Sequence, residues 1–183
     1  MGGTRQKRSM IATVTNPGKT RWMIIDESFN ADRLIEFLEA LIKDAGKKVF
    51  LILDNLRVHP SKPVKAWMAQ RQDRIELFHL PSYSPELNPE ERLNADLKHA
   101  IRSKVPARTQ ARLKTAASEH MLKLAQSPER VKAFFQDSYV KYAASKLQAS
   151  LGRINKKAWP DYSKYPHPEI KSSYYLRIHA VKE

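Results

Sequence analysis

Cysteine is absent from the chain. Disulfides and cysteine-ligated zinc are therefore excluded, and the composition suits a reducing cytoplasm. Long apolar runs are also missing: the longest is VFLIL, residues 49–53, far short of the roughly 20 residues a membrane-spanning helix needs. The N-terminal MGGTRQKRSM has basic residues but no apolar stretch behind them, so no signal peptide is visible and no membrane partner is expected. Neither an RNP-like aromatic motif nor a GXXG loop occurs, which argues against a common RNA-binding module. Acidic residues are few for the number of basic ones.

That last shortage becomes the loudest positive signal. Thirty-three Lys and Arg face 19 Asp and Glu, a net charge of +14 in 183 residues. A field of this sign attracts polyanions, and each neutralised phosphate releases condensed counterions. Nucleic acid is the expected partner. Hydrophobic residues make up 42% of the chain, enough to build one ordinary core.

Local patterns give an α/β order. Residues 10–15 and 21–26 are short β-type runs joined by NPGK, which reads as a hairpin turn. Asn30 caps a helix over 31–45 that Gly46 ends. KKVFLILD, 47–54, is a continuous apolar run, as in a strand buried on both faces. A short helix over about 63–72 and a strand over 74–80 follow, which argues for a partly parallel sheet. Helices are expected over roughly 89–104, 109–126 and 128–149. Residues 150–183, with Pro160, Pro166 and Pro168 and no helical period, read as an extension beyond a domain spanning 1–149.

Two carboxylates stand out. Asp54 closes the buried strand, where ligands bind in open α/β sheets, and a carboxylate there suits a hard ion such as Mg²⁺. The plainer alternative is a turn residue, since Asp-Asn often leaves a strand by bonding its own backbone. Glu91 lies in LPSYSPELNPEERLNADLK, residues 80–98. With Asn88 as N-cap, Pro89 falls at the first helical position and Glu91 at the third, a capping-box-like pattern. Capping explains those three residues but not the long proline-bounded approach. Glu91, Asn94 and Lys98 share one helical stripe, while Leu93, Leu97, Ala100 and Ile101 form another that is expected to be buried. Glu90 reads as a solvated acid favouring the helix dipole. The basic stretch RSKVPARTQARLK, 102–114, is either a phosphate-tracking surface or a solvated helix face. Trp22 and Trp67 lie in elements that need core.

Together, LILDN with a following His59 and the block SPELNPEE closely resemble the DDE-type transposases of the mariner superfamily, especially the bacterial insertion-sequence branch. Thirty-six residues separate Asp54 from Glu91, close to the family spacing. The resemblance runs from about residue 8 to 145. It implies a ribonuclease H-like mixed sheet with flanking helices and a helical C-terminal region. Three carboxylates there hold two Mg²⁺ or Mn²⁺ ions for DNA cleavage and strand transfer. Carried over, Asp54 and Glu91 are the second and third catalytic, metal-binding carboxylates. Asn94 and Lys98, with the neighbouring Arg102 and Lys104, are expected to contact DNA.

The family's first Asp lies on a first strand upstream of the segment corresponding to residues 5–24. The sheet is therefore expected to lack that strand, leaving 10–15 and 48–54 each short of a neighbour. Asp26 sits in a tempting position, but the register of SFNADRLIEFL makes it a surface acid ahead of a helix. The expected function is a transposase catalytic portion, incomplete alone. Its partners would be transposon and target DNA and an upstream transposase chain supplying the first Asp and a helix-turn-helix, with a homo-oligomer also compatible. The rival reading is a non-catalytic basic DNA-binding protein on the same scaffold.

Overall fold

The tightest local constraint lies in the first hairpin. In the computed structural model, which describes residues 7–26, 28–53, 61–80, 85–103, 109–140 and 174–182, strands β1 (Lys7–Thr15) and β2 (Thr20–Ile25) run antiparallel. Their turn is closed by Thr15 N–H to Lys19 O and Gly18 N–H to Thr15 O, each 2.9 Å. Gly18 sits at φ 93°, a conformation that L side chains avoid.

Helix α1 (Ala31–Ala45) has both ends set by local chemistry. Asn30 Oδ1 accepts the Arg33 N–H at 3.0 Å, and Gly46 takes the left-handed turn at φ 62°. Its buried stripe is Leu34, Phe37, Leu38, Leu41 and Ile42. Strand β3 (Val49–Leu53) buries all but Phe50. Helix α2 (Lys62–Ala69) is fastened to α1 through Trp67, whose Nε1 donates to Glu39 Oε1 at 2.9 Å. The Arg71 guanidinium lies 4.6 Å from the Trp67 ring centroid and pairs with the same Glu39. Strand β4 (Ile75–His79) then pairs parallel to β3.

A 3₁₀ turn at Pro85–Leu87 leads into α3 (Glu90–Arg102), α4 (Gln110–Ala125) and α5 (Pro128–Ala133). The helix expected over 128–149 is therefore short. An Asx turn, in which Asp137 Oδ1 accepts the Tyr139 N–H at 3.0 Å, redirects the backbone. Residues 141–149 lie outside the described ones.

The largest departure from the sequence reading concerns the last strand. Residues Tyr174–Lys182, read as part of an extension, form β5 at the centre of a mixed sheet ordered β2-β1-β5-β3-β4. β5 pairs antiparallel with β1 along nine positions, from Lys7↔Lys182 to Thr15↔Tyr174. It pairs parallel with β3 at Leu51↔Tyr174, Ile52↔Tyr175 and Leu53↔Leu176. Neither β1 nor β3 lacks the neighbour whose loss the sequence implied. Unpaired edges on such buried strands are costly, and β5 satisfies both.

Alternation along the strands divides the core in two. Ile11, Leu51, Leu53 and Leu176 face α1 and α2. Met10, Ala12, Val14 and Ile52 share a second cluster with residues of α3, α4 and α5. On its outer side α3 is held by Asp96, whose Oδ2 lies 2.9 Å from His120 Nε2 and whose Oδ1 accepts from Arg130 at 2.5 Å. Arg92 adds an ion pair to Asp137. The His120 side chain is only 8% exposed, so an Asp96→Ala chain would strand an enclosed ring nitrogen. A loss of about 1–3 kcal/mol is expected, read from the urea midpoint. A change near zero would show that the three helices hold together by apolar packing alone.

Candidate functional site

The start of α3 is built by Asn88. Buried to 1% exposure, it accepts the Glu90 N–H on its side-chain oxygen at 3.1 Å and the Glu91 N–H on its carbonyl at 3.0 Å. Pro89, at φ −59°, already has helical geometry. The helix begins at Glu90 with Pro89 in the cap position, one residue later than the sequence implied, and the Asn88 side chain bonds the Glu90 N–H rather than the Glu91 N–H of a capping box; these bonds set the rotational phase of the helix.

That phase separates two adjacent glutamates. Glu90 joins Leu93, Leu97 and Ile101 on the buried stripe and is 0% exposed. The expectation of a solvated acid was wrong: counting back three residues from Leu93 puts position 90 under the helix, and that count was available from the sequence. Ala100, expected to be buried, is only half-buried.

Glu91, Asn94 and Lys98 occupy a half-buried stripe at the margin of that face. Asn94 Nδ2 donates to Glu91 Oε2 at 3.3 Å, orienting the carboxylate from the next turn of the helix. Lys98 stands one further turn along, and Arg102 is exposed at the helix end. An amide-steadied carboxylate at a helix N-terminus is a hard oxygen donor, the ligand type that Mg²⁺ or Mn²⁺ takes. Among the described residues, no three His, Asp or Glu side chains cluster closely enough to hold a metal ion.

The approach to Asp54 is visible up to Leu53. Leu53 O accepts the Leu80 N–H at 2.8 Å, tying the end of β3 to the residue that opens the proline-bounded segment. Ile52, Leu80, Leu87 and Leu93 belong to one apolar cluster, so β3 and the first turns of α3 pack into the same layer. Asp54 itself, His59 and Lys104 lie outside the described residues.

Asp26 is well removed from this region. Ile25 and Ala180 both pair with Ser9, whereas Leu53 pairs with Leu176. Ile25 is therefore three strands across and four residues along from Leu53, about 14 Å by about 13 Å. Asp26 is exposed and holds Lys114 Nζ at 2.7 Å. It is a surface acid, as the sequence register indicated. Lys114 is thereby engaged at the far edge of the sheet, while Arg112 is exposed on the same helix. Trp67 is buried and Trp22 packs against the core, as expected.

Three comparisons bear on family. No curated protein matches the chain. Among solved structures, the crystal structure of the catalytic domain of Mos1 mariner transposase is similar at 20% identity with a TM-score of 0.42, covering 64% of this chain and 69% of that one. The sequence profile of the DDE superfamily endonucleases matches residues 2–114, a span that takes in β1 through the first turns of α4. With more than half of its length matched, the chain belongs to the DDE superfamily endonuclease family.

Proposed function

We propose that this chain carries the second and third carboxylates, Asp54 and Glu91, of a metal-dependent centre for DNA strand cleavage and transfer in transposition, on a ribonuclease H-like sheet. The observation that carries the reading is the phase of α3. Asn88 turns Glu91, and not Glu90, onto the half-buried stripe with Asn94 and Lys98, in the layer that β3 enters just before Asp54.

Each residue has a definable task. Glu91 and Asp54 would hold Mg²⁺ or Mn²⁺, and Asn94 fixes the Glu91 rotamer. Lys98 offers a point charge to a phosphate about two turns from the carboxylate, roughly 10 Å along the helix. Arg102 and Lys104 would engage the backbone further along. A divalent ion, when bound, contributes charge neutralisation at the phosphodiester oxygens and a lowered pKa at an attacking hydroxyl.

β1, β2, β3 and β5 contain no Asp or Glu, so the sheet beside Asp54 adds no further carboxylate. By itself the chain is expected to cleave DNA poorly or not at all, and an upstream transposase chain would complete the centre. Cleavage by the purified protein that Asp54→Ala abolishes would overturn this.

The test is calorimetric titration of Mg²⁺ and Mn²⁺ into the wild type, Asp54→Ala and Glu91→Ala. Binding in the wild type that weakens at least 10-fold in each variant is expected. Equal heats in all three would leave Glu91 as an element of helix geometry only. The second reading, a non-catalytic basic DNA-binding protein, is favoured by the acid-free strands together with the +14 charge. It requires DNA affinity that falls steeply with salt and ignores both Mg²⁺ and Asp54.

A further inference from the structure

One enclosed donor at the start of α3 takes no part in setting the helix. Asn88 is 1% exposed, and its side-chain oxygen is committed to the Glu90 N–H at 3.1 Å. That bond also fixes which end of the carboxamide is nitrogen. Nδ2 is enclosed as well and meets no acceptor among the described residues. A buried N–H without an acceptor is costly. The bond to Glu90 does not call for it, because Ser and Asp make such local bonds with oxygen alone.

Local geometry supplies an acceptor. The Glu91 N–H bonds the Asn88 carbonyl at 3.0 Å, closing a turn over 88–91 that brings its two end residues together. Glu91 also lies three residues before Asn94, whose Nδ2 donates to Glu91 Oε2 at 3.3 Å. Residues three apart along a helix are side-chain neighbours. The carboxylate therefore stands between two carboxamides, one that holds it and one whose N–H is unused.

We propose that Asn88 is a positioning residue for the Glu91 carboxylate, with Nδ2 donating to Glu91 Oε1 when a divalent ion is held there. The inference rests on the metal-binding reading of Glu91. With Asn94 on Oε2 and Asn88 on Oε1, both oxygens are oriented and their remaining lone pairs face the ion. A hydrogen bond to an ionised oxygen is shorter and stronger than a neutral one. Partners that orient a metal ligand in this way change metal affinity by about 10–100-fold. Asn88 itself touches neither ion nor DNA.

The test separates the two ends of the carboxamide. Asn88→Ser keeps an oxygen for the Glu90 N–H and removes the nitrogen, whereas Asn88→Ala removes both. Without metal, the urea midpoint of Asn88→Ser is expected to lie closer to the wild type than that of Asn88→Ala. Calorimetric titration with Mg²⁺ and Mn²⁺ should nevertheless show affinity about 10-fold weaker in Asn88→Ser. In a Glu91→Ala background the same change should cost nothing further, because Asn88 acts through that carboxylate. The wild type gives a reading that no folding defect can mimic. The Asn88 Nδ2 protons, assigned in ¹⁵N spectra by their loss in Asn88→Ser, should move downfield as Mg²⁺ saturates the protein, and stay in place in Glu91→Ala. Wild-type affinity in Asn88→Ser would overturn the proposal, as would Asn88 signals that ignore Mg²⁺ while calorimetry records binding. A wild type that binds neither ion would overturn the metal reading of Glu91, and this proposal with it.

Discussion

A chain ending at residue 173 is expected to lose cooperative folding altogether. β5 supplies the partner for nine residues of β1 and for three of β3. Its removal turns the middle of the sheet into two facing raw edges. Met10, Ile11, Ala12, Val14, Leu51 and Ile52 are at most 3% exposed, so the freed backbone groups cannot all reach water without opening both apolar layers. Each buried unsatisfied group costs about 1–3 kcal/mol, and four or five of them match the whole stability of an ordinary domain, about 5–15 kcal/mol. Leu176, also fully buried, takes a further ~2 kcal/mol with it. Thermal denaturation followed by circular dichroism should show a broad, non-cooperative loss in place of a transition, with aggregates on size exclusion. A sharp melt within a few degrees of the full chain would mean that β1 and β3 close on each other without β5.

Gly18→Ala is expected to cost about 2–4 kcal/mol, far more than a surface turn substitution usually does. Two effects add. At φ 93° an L side chain is strained by about 1–2 kcal/mol, and the new Cβ would lie 2.5 Å from the Pro128 carbonyl oxygen. The second contact is with backbone at the start of α5, so relief requires the hairpin and that helix to separate, at about 1–2 kcal/mol more. Gly46→Ala is the matched control. It too has positive φ, at 62°, but nothing lies within 4 Å of its added Cβ, so only the conformational cost of about 1 kcal/mol applies. Urea denaturation of both variants separates the terms. Equal losses would show that the hairpin tip moves freely away from Pro128.

Elements fixed by chemistry within a few residues were readable in advance. The helix over 31–45 has its expected limits because Asn30 and Gly46 each act on the adjacent turn. β3 was readable because a sheet covered on both faces demands an uninterrupted apolar run. At the site, the Glu91–Asn94–Lys98 stripe followed from helical periodicity, whereas the expected Asn88 cap is one residue out, with Pro89 in the cap position. Glu90 was misread because a charged residue was assumed to seek water, whereas the cap had already fixed its phase beneath the helix. β5 was missed for a different reason. Its nine residues are strand-like, but three prolines upstream suggested an extension, and its partners β1 and β3 both lie more than 100 residues earlier in the chain. No local pattern encodes a pairing over that distance.

The position of β5 also bears on how the molecule is made. Synthesis delivers β1 first and β5 last among the described strands, yet these two share the longest ladder in the sheet. While the ribosome is still working through residues 141–173, the hairpin and the β3–β4 pair have no strand to join them into one sheet. Pairing between elements so far apart in sequence is slow, and strand edges waiting that long are exposed to other nascent chains. Translation rate and chaperone occupancy late in synthesis should therefore affect the soluble yield of this protein.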